Sequence, residues 1–181
     1  MSKILAFSGS NHSKSINQAL VSYASSLVQN HDVKLIDLRD FESPLFSIDL
    51  ENENGHPDNI IKLEKLISEQ DALIIALPEY NGSMTSFFKN TLDWLTRVNH
   101  QFLKDKKLIL LSTSPGKFGA KFGLAHTAGI LPRFGCEVHG IFSLGNFHEL
   151  VSLNGEFTLS DTEKLEELKS LIHLLENNLK E

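Results

Sequence analysis

The chain alternates short apolar runs with longer segments in which apolar residues recur every three to four positions. The apolar runs predict strands over Lys3–Phe7, Asp32–Asp37, Ala72–Leu77, Lys107–Ser112 and Cys136–Phe142. The periodic segments predict helices over Ile16–Val28, Asp58–Ser68, Ser83–Arg97, Lys121–Arg133 and Asp161–Leu179. Apolar strands between amphipathic helices indicate a parallel sheet that is covered on both faces. We therefore expect a single α/β domain over residues 1–181, a three-layer sandwich with strand order 2-1-3-4-5.

The connection from Leu38 to Pro57 is longer than an ordinary loop between a strand and a helix, so we expect it to be either functional or mobile. In contrast, the last helix has a clear start, because Ser160 or Asp161 can cap it.

Composition narrows the class of protein. The 181 residues are 41% hydrophobic, enough for a sizeable core, and carry a net charge of −6, which argues against a nucleic-acid surface. Cys136 is the one cysteine, so no disulfide forms within the chain, and we expect a reducing compartment, the cytoplasm. No apolar run approaches a membrane-spanning length.

The loop after the first strand, Ser8–Asn17, has the composition of an anion site. Loops at the carboxyl ends of parallel strands border the ligand crevice, and a helix N-terminus attracts phosphate. The side chains that offer hydrogen bonds or positive charge are Ser10, His12, Ser13, Lys14, Ser15 and Asn17. An ordinary helix cap in a polar loop explains the same residues, so this segment alone leaves both interpretations open.

The loop Pro78-Glu79-Tyr80-Asn81-Gly82 follows the third strand and suits a flat polar ring. Tyr80 offers a ring face, and Asn81 and Gly82 can expose backbone N–H groups in a tight turn. A simple turn between strand and helix accounts for the same sequence. A third loop, Ser112–Ala120, is rich in Gly and Ser and either reaches the same crevice or only connects two elements.

Other nucleotide and metal motifs are absent from the sequence. The Gly9 loop lacks the second glycine of a Walker A motif and the glycines of the dinucleotide fingerprint. No arginine follows Cys136 as a cysteine phosphatase would need, so Cys136 is interpreted as a small buried hydrophobe. The eight histidines show no spacing typical of metal ligands, and we assign no metal site.

Together these segments resemble the NADPH-dependent FMN reductases, a flavodoxin-like family with azoreductase, quinone reductase and chromate reductase members. Gly9-Ser10 with Ser15-Ile16-Asn17 is similar to the family's phosphate loop, G-S-x-R-x-x-S-x-N. Pro78 to Ser83, with Lys89-Asn90 and Asp93-Trp94-Leu95, is similar to its P-E-Y-N-x-S…K-N…D-W-L signature. The resemblance extends from about Lys3 to Phe142.

The resemblance implies non-covalent FMN, with NADPH or NADH as co-substrate. It places the FMN phosphate on Ser10, Ser15, Asn17 and the backbone N–H of Ile16. The isoalloxazine ring is expected to be lined by Pro78, Glu79, Tyr80, Asn81 and Gly82, with Ser114 and Gly116 near its other edge. The sequence requires no protein acid or base for this chemistry, so no catalytic residue is assigned. Glu79 is expected to be solvated or to cap a helix.

His12 stands where the family carries arginine, and this predicts a pH dependence. Arginine is always charged, whereas histidine changes charge between about pH 5 and pH 8. We expect FMN affinity to fall measurably from pH 6 to pH 8. A flat affinity profile would leave His12 with no electrostatic role.

The implied reaction is a ping-pong cycle in which a nicotinamide gives hydride to the flavin, leaves, and is replaced by a small acceptor such as a quinone, an azo compound, chromate or free flavin. One alternative is a flavodoxin-like electron carrier without its own nicotinamide turnover. Another is a module that has lost redox function and senses a nucleotide.

Family members often form dimers or tetramers, which implies a homo-oligomer here. The resemblance places the interface on the helix after Pro-Glu-Tyr-Asn, where Phe87, Phe88 and Leu95 are candidates and Trp94 is the strongest. Packing on the sheet is the alternative for each of them.

Overall fold

The computed structural model describes residues 1–179 and is built on a five-stranded parallel sheet. The strands of this sheet are β1 (Lys3–Ser8), β2 (Asp32–Leu35), β3 (Ala72–Ala76), β6 (Lys107–Thr113) and β7 (Glu137–Leu144). Two short hairpins pair β4 (Glu79–Tyr80) with β5 (Ser83–Met84), and β8 (Val151–Ser152) with β9 (Thr158–Leu159). The large sheet has the order β2-β1-β3-β6-β7, which confirms the predicted order.

Helices cover both faces of this sheet. They are α1 (Ile16–Ser26), α2 (Ile48–Asn54), α3 (Asp58–Ser68), α4 (Ser86–Val98), α5 (Lys121–Ile130), α6 (Phe147–Leu150) and α7 (Thr162–Asn178). The helices α1 and α7 pack on one face, and α3, α4 and α5 pack on the other. None of the helices in residues 1–179 combines the length and the apolar character that a bilayer crossing requires.

Alternate residues of each central strand enter opposite cores. In β1, Leu5 and Phe7 face the α3–α4 side, whereas Ile4 and Ala6 face the α1–α7 side. All four are at most 3% exposed, so the strand is a continuous apolar run although its side chains alternate.

Two predicted helix bounds are wrong by three residues, each for a local reason. The segment predicted to start a helix at Ser83 first forms the β4–β5 hairpin, and α4 begins at Ser86 after the cap Thr85, whose side chain accepts from Phe88 N. The helix predicted to end at Arg133 ends at Ile130, and a 3-10 turn over Leu131–Phe134 with Pro132 near its start follows it. Asp161 caps α7, as one of the two expected residues.

The connection between β2 and α3 is ordered and contains a 3-10 turn over Leu38–Phe41 and helix α2. Its segment 43–46 lies across α4: the Asn90 side chain accepts from Phe46 N at 2.8 Å and donates to Pro44 O at 3.0 Å. Glu51 of α2 accepts from Arg97 of α4 at 3.0 Å through both carboxylate oxygens. The connection is therefore a strap that packs on α4.

This strap overturns the expectation that Trp94 lies at an interface. Trp94 is fully buried within the chain, its Nε1 donates to Pro44 O at 2.8 Å, and Phe46 meets its ring edge-on at 5.0 Å. Phe88 and Leu95 are also buried, so the outward face of α4 is polar.

A buried carboxylate joins α7 to the turn between α1 and β2. Glu176 of α7 is 3% exposed, and its Oε1 accepts from Gln29 N at 2.9 Å and Asn30 N at 2.7 Å. Burial disfavours the charged form, but these donors and the Asn30 side chain outweigh it, so the pKa of Glu176 lies below its ordinary value.

We expect Glu176→Gln to lower the free energy of unfolding by about 1 kcal/mol at pH 7, because two charge-assisted hydrogen bonds become neutral. A carboxyl group whose pKa is lower in the folded state stabilises the fold at pH values above its unfolded-state pKa. That stabilisation is lost as the pH falls through the folded-state pKa. In urea unfolding measurements, the difference in unfolding free energy between wild type and Glu176→Gln should therefore become smaller below about pH 4.3. Glu166→Gln, at an exposed residue of the same helix, is the control, and an unchanged difference at low pH would contradict this account.

Candidate functional site

A cleft of about 410 Å³ opens at the carboxyl edge of the sheet, between the segments that follow β1, β3, β6 and β7. The residues that line it are Ser10, His12, Lys14, Ser15, Ile16, Asn17, Pro78, Glu79, Tyr80, Thr113, Ser114, Pro115 and His148. The structure thus brings the three predicted loops together, and of the predicted site residues only Asn81, Gly82 and Gly116 lie outside the lining. We call this space the first cleft.

One end of the first cleft is formed by the N-terminus of α1. Ser15 is the cap, and its Oγ accepts from Gln18 N at 3.3 Å. Ser10 is 9% exposed, and its Oγ accepts from His12 N at 3.2 Å. Both hydroxyl groups act as acceptors in these bonds, so both retain a proton that can be donated into the cleft.

The backbone at this end offers further donors. The N–H groups of Ile16 and Asn17, the first two residues of α1, have no hydrogen-bond partner among residues 1–179. The first turn of α1 contains no acidic residue. Free N–H groups together with the positive end of the helix dipole favour an anion at this position.

Asn17 has a structural task in addition to its place in the lining. Its side chain is 2% exposed; Oδ1 accepts from Thr113 N and Nδ2 donates to Thr113 O, both at 3.0 Å. The amide is expected to be a phosphate ligand, and these two bonds also make it hold α1 against the end of β6. Nδ2 keeps a second N–H, so Asn17 retains this donor as well as its backbone N–H.

The opposite side of the first cleft is formed by the β4–β5 hairpin. Asn81 and Gly82 form its two-residue turn with φ angles of +54° and +75°. This is the pattern of a type I′ turn, which asparagine and glycine favour because both positions need positive φ. The turn leaves Tyr80 62% exposed at the rim of the cleft, while Asn81 and Gly82 lie at the tip, beyond the lining.

Glu79 fixes this hairpin to α5. Its Oε2 accepts from Gly123 N at 2.7 Å, so the carboxylate caps a free N–H in the first turn of the helix. A Cβ at Gly123 would lie 2.9 Å from Ser83 O and 3.0 Å from Glu79 Cγ, so only glycine allows this approach. Of the two expectations for Glu79, solvation or capping of a helix, the structure shows the second.

The third loop contributes Ser114 but not Gly116 to the lining. The carbonyl of Gly116 accepts from Ser114 Oγ at 3.0 Å and from Asn146 N at 3.1 Å. Gly116 therefore holds the loop in shape against the segment after β7.

The lining residues that sequence reasoning did not single out are Thr113, Pro115 and His148. The first two belong to the loop that was already a candidate. His148 lies in α6, just after β7, and its ring packs edge-on against Phe147 at 5.5 Å. The polar run that follows the fifth strand was the available signal, since that strand ends at the same edge of the sheet.

The described residues contain neither a cluster of metal-ligating side chains nor an activated thiol. Residues 1–179 contain no group of three or more His, Cys, Asp or Glu side chains placed to hold a metal ion. Burial raises the pKa of the Cys136 thiol to about 11, which makes it a poor nucleophile and agrees with its interpretation as a buried hydrophobe.

The sheet order and the cleft at its carboxyl edge define a flavodoxin-like α/β protein. The family model described as NADPH-dependent FMN reductase matches residues 2–169. The chain belongs to the NADPH-dependent FMN reductase family, and is thereby an FMN-dependent oxidoreductase that uses NAD(P)H.

The chain is also similar to individual proteins. An uncharacterized protein of Mycoplasma pneumoniae is 31% identical over 77% of this chain and 84% of its own length. An NAD(P)H-dependent FMN reductase of Pseudomonas aeruginosa is 36% identical over 65% of this chain and 62% of its own length. The solved structure of FerB, a flavoenzyme NAD(P)H:(acceptor) oxidoreductase from Paracoccus denitrificans, covers 98% of both chains with a TM-score of 0.76 at 24% identity, which shows the shared fold.

The residues of the first cleft fit FMN. A phosphate needs several donors and no neighbouring carboxylate, and the α1 end offers two hydroxyls, two free N–H groups, the His12 ring and the ammonium of Lys14. A flavin ring needs a flat apolar contact, and Pro78, Tyr80 and Pro115 line the cleft beyond this end.

Proposed function

We propose that this chain holds FMN in the first cleft and uses NAD(P)H to reduce a small electron acceptor by a ping-pong mechanism. The observation that carries this proposal is the convergence of the α1 N-terminus, the Tyr80 hairpin and the Ser114 loop on one cleft at the sheet edge. Bound FMN would supply the redox chemistry, by taking hydride from a nicotinamide and passing electrons to the acceptor.

In this proposal the chain's own residues bind and orient. The hydroxyls of Ser10 and Ser15 and the N–H groups of Ile16 and Asn17 hold the phosphate. Tyr80 covers a ring face, in a hairpin that its tight turn and the Glu79–Gly123 bond keep rigid. Glu79 is not assigned as a base, because its carboxylate already accepts from a backbone N–H.

The test is a spectral and kinetic experiment on the purified protein. FMN should bind with a flavin spectrum, NADPH or NADH should bleach it without oxygen, and a quinone should restore it. With quinone in excess, steady nicotinamide consumption is expected, with parallel double-reciprocal lines. Intersecting lines would contradict ping-pong order, and a single bleaching without turnover would indicate an electron carrier instead.

The proposal includes self-association. Phe118, in the loop before α5, and Phe122, in its first turn, are 52% and 54% exposed, with their ring centroids 5.9 Å apart. Exposed aromatic pairs of this kind are typical of contact surfaces. Light scattering during gel filtration should give a mass above the 20.3 kDa of one chain.

A further inference from the structure

A second cleft, of about 490 Å³, shares Tyr80 with the first cleft. Its walls come from the β4–β5 hairpin, the start of α4 and one face of α5. The lining residues that matter here are Tyr80, Ser83, Met84, Lys89, His126 and Ile130. Tyr80 lines both clefts, so a molecule in the second cleft is adjacent to the first.

The walls of the second cleft are held by hydrogen bonds. Ser83 Oγ and His126 Nδ1 are 3.0 Å apart, which connects the hairpin to α5. Thr85 Oγ1 donates to Gly9 O at 2.8 Å and fixes the start of α4 to the loop after β1. A shape held in this way is ready to bind a ligand, as most small-molecule sites are.

The second cleft is lined by two basic side chains that can donate hydrogen bonds. Lys89 and His126 are its ionisable basic side chains, and no Asp or Glu is among its lining residues. Lys89 Nζ is 2.5 Å from Asp93 Oδ1, but Asp93 lies outside the lining and the lysine side chain is 54% exposed, so its other donors remain free. When Ser83 donates to Nδ1, the neutral imidazole carries its proton on Nε2 and is also a donor. The ammonium of Lys89, which also pairs with Asp93, and the imidazole of His126 therefore both offer donors to an anion in this cleft.

The apolar part of the lining suits a flat ring. Tyr80 presents a ring that is 62% exposed, and Met84 and Ile130 add apolar surface. Aromatic faces and methionine thioethers both pack favourably on aromatic rings.

We propose that the second cleft binds a flat aromatic molecule that carries a sulfonate or carboxylate group. We also infer that it holds electron acceptors of this class beside the first cleft, and this second step rests on the function proposed above. Lys89 and His126 bind the anionic group, and Tyr80 and Met84 contact the ring.

A matched pair of probes tests the binding step without measuring activity. Naphthalene-2-sulfonate and its neutral analogue naphthalene-2-sulfonamide are titrated into the FMN-loaded protein by calorimetry. The sulfonate should bind more tightly, and FMN should stay bound. Lys89→Gln and His126→Asn should each weaken sulfonate binding about threefold to fivefold, as expected for loss of a partly exposed charge or donor, with little effect on the sulfonamide.

Lys62→Gln, at an exposed lysine of α3, is the control variant and should change neither affinity. Thermal unfolding of each variant verifies that it is folded. Equal affinities for the two probes, or no effect of Lys89→Gln, would overturn the proposal. Release of FMN by the probe would place the probe in the first cleft. Weaker probe binding at protein concentrations where the chain self-associates would assign this surface to contact with a second copy of the chain. Either result would also overturn the proposal.

The acceptor step has its own readout. Lys89→Gln should raise the KM for anthraquinone-2-sulfonate about threefold to fivefold while leaving kcat and the KM for the neutral quinone menadione nearly unchanged. Equal changes for both quinones would contradict the assignment of this acceptor class. Failure of the chain to take up FMN would instead refute the proposed function, and the probe titration of the FMN-free protein would still test the cleft.

Discussion

Replacing Ile16 by proline is expected to weaken FMN binding by roughly 10- to 100-fold, because it removes one N–H donor to a doubly charged phosphate. Proline is favoured at the first position of a helix, and the preceding Ser15 already has the extended backbone (ψ 123°) that a following proline requires. The variant therefore removes a hydrogen-bond donor while α1 is expected to remain folded. Equilibrium titration of flavin fluorescence measures the affinity.

The matched control is Ile16→Val, which shortens the side chain and keeps the N–H. It should bind FMN almost as wild type does, and both variants should unfold at similar temperatures. If proline and valine weaken binding equally, the N–H of Ile16 has no part in holding the phosphate.

The second large effect concerns Asn17. We expect Asn17→Ala to lower the free energy of unfolding by about 2–4 kcal/mol, since the buried N–H and carbonyl of Thr113 both lose their partner. This is a large part of the 5–15 kcal/mol that is typical of a domain. FMN affinity should fall as well, because Asn17 holds α1 and the Thr113–Pro115 segment, which form two walls of the first cleft.

The variant Asn17→Asp separates these two bonds. A carboxylate still accepts from Thr113 N but faces the carbonyl of Thr113 without a proton, so at pH 7 it should be less stable than wild type. Protonation at low pH restores a donor, so the deficit relative to wild type should decrease as pH falls. A deficit in unfolding free energy that does not change with pH would contradict the bond to the carbonyl.

The sheet was predictable because its signal is local and strong. Runs such as Leu73-Ile74-Ile75-Ala76 are buried on both sides, and such runs between amphipathic helices are compatible with few architectures. The strand ends were less certain: β7 runs to Leu144, two residues beyond the predicted end at Phe142. Strand ends depend on pairing with β6, which is not a local property of the sequence.

The β4–β5 hairpin shows where local reasoning failed. The segment from Ser83 has a helical pattern. After the Asn81-Gly82 turn, however, its first two residues pair with Tyr80 and Glu79 as a strand. The contact that stabilises this arrangement, from Glu79 to Gly123, joins residues 44 positions apart. No periodicity within either segment reports such a contact.

Trp94 illustrates a second limit. The sequence shows an aromatic residue on an amphipathic helix, and this does not distinguish an intermolecular contact from an intramolecular one. Pro44 and Phe46 of the strap contact the indole of Trp94, and these contacts depend on how the long connection folds back on α4. His148 is different, because the predicted strand order already places the end of the fifth strand at the same edge of the sheet as the first cleft.

The central claim is that the phosphate of FMN is bound at the N-terminus of α1. The most direct test compares FMN with riboflavin, which lacks only that phosphate, in titrations of the flavin-free protein. The account predicts that FMN binds at least about 100-fold more tightly, since several charge-assisted hydrogen bonds depend on the phosphate. It also predicts that Ile16→Pro lowers this ratio by weakening FMN alone. Equal affinities for the two flavins in the folded wild-type protein would contradict the claim.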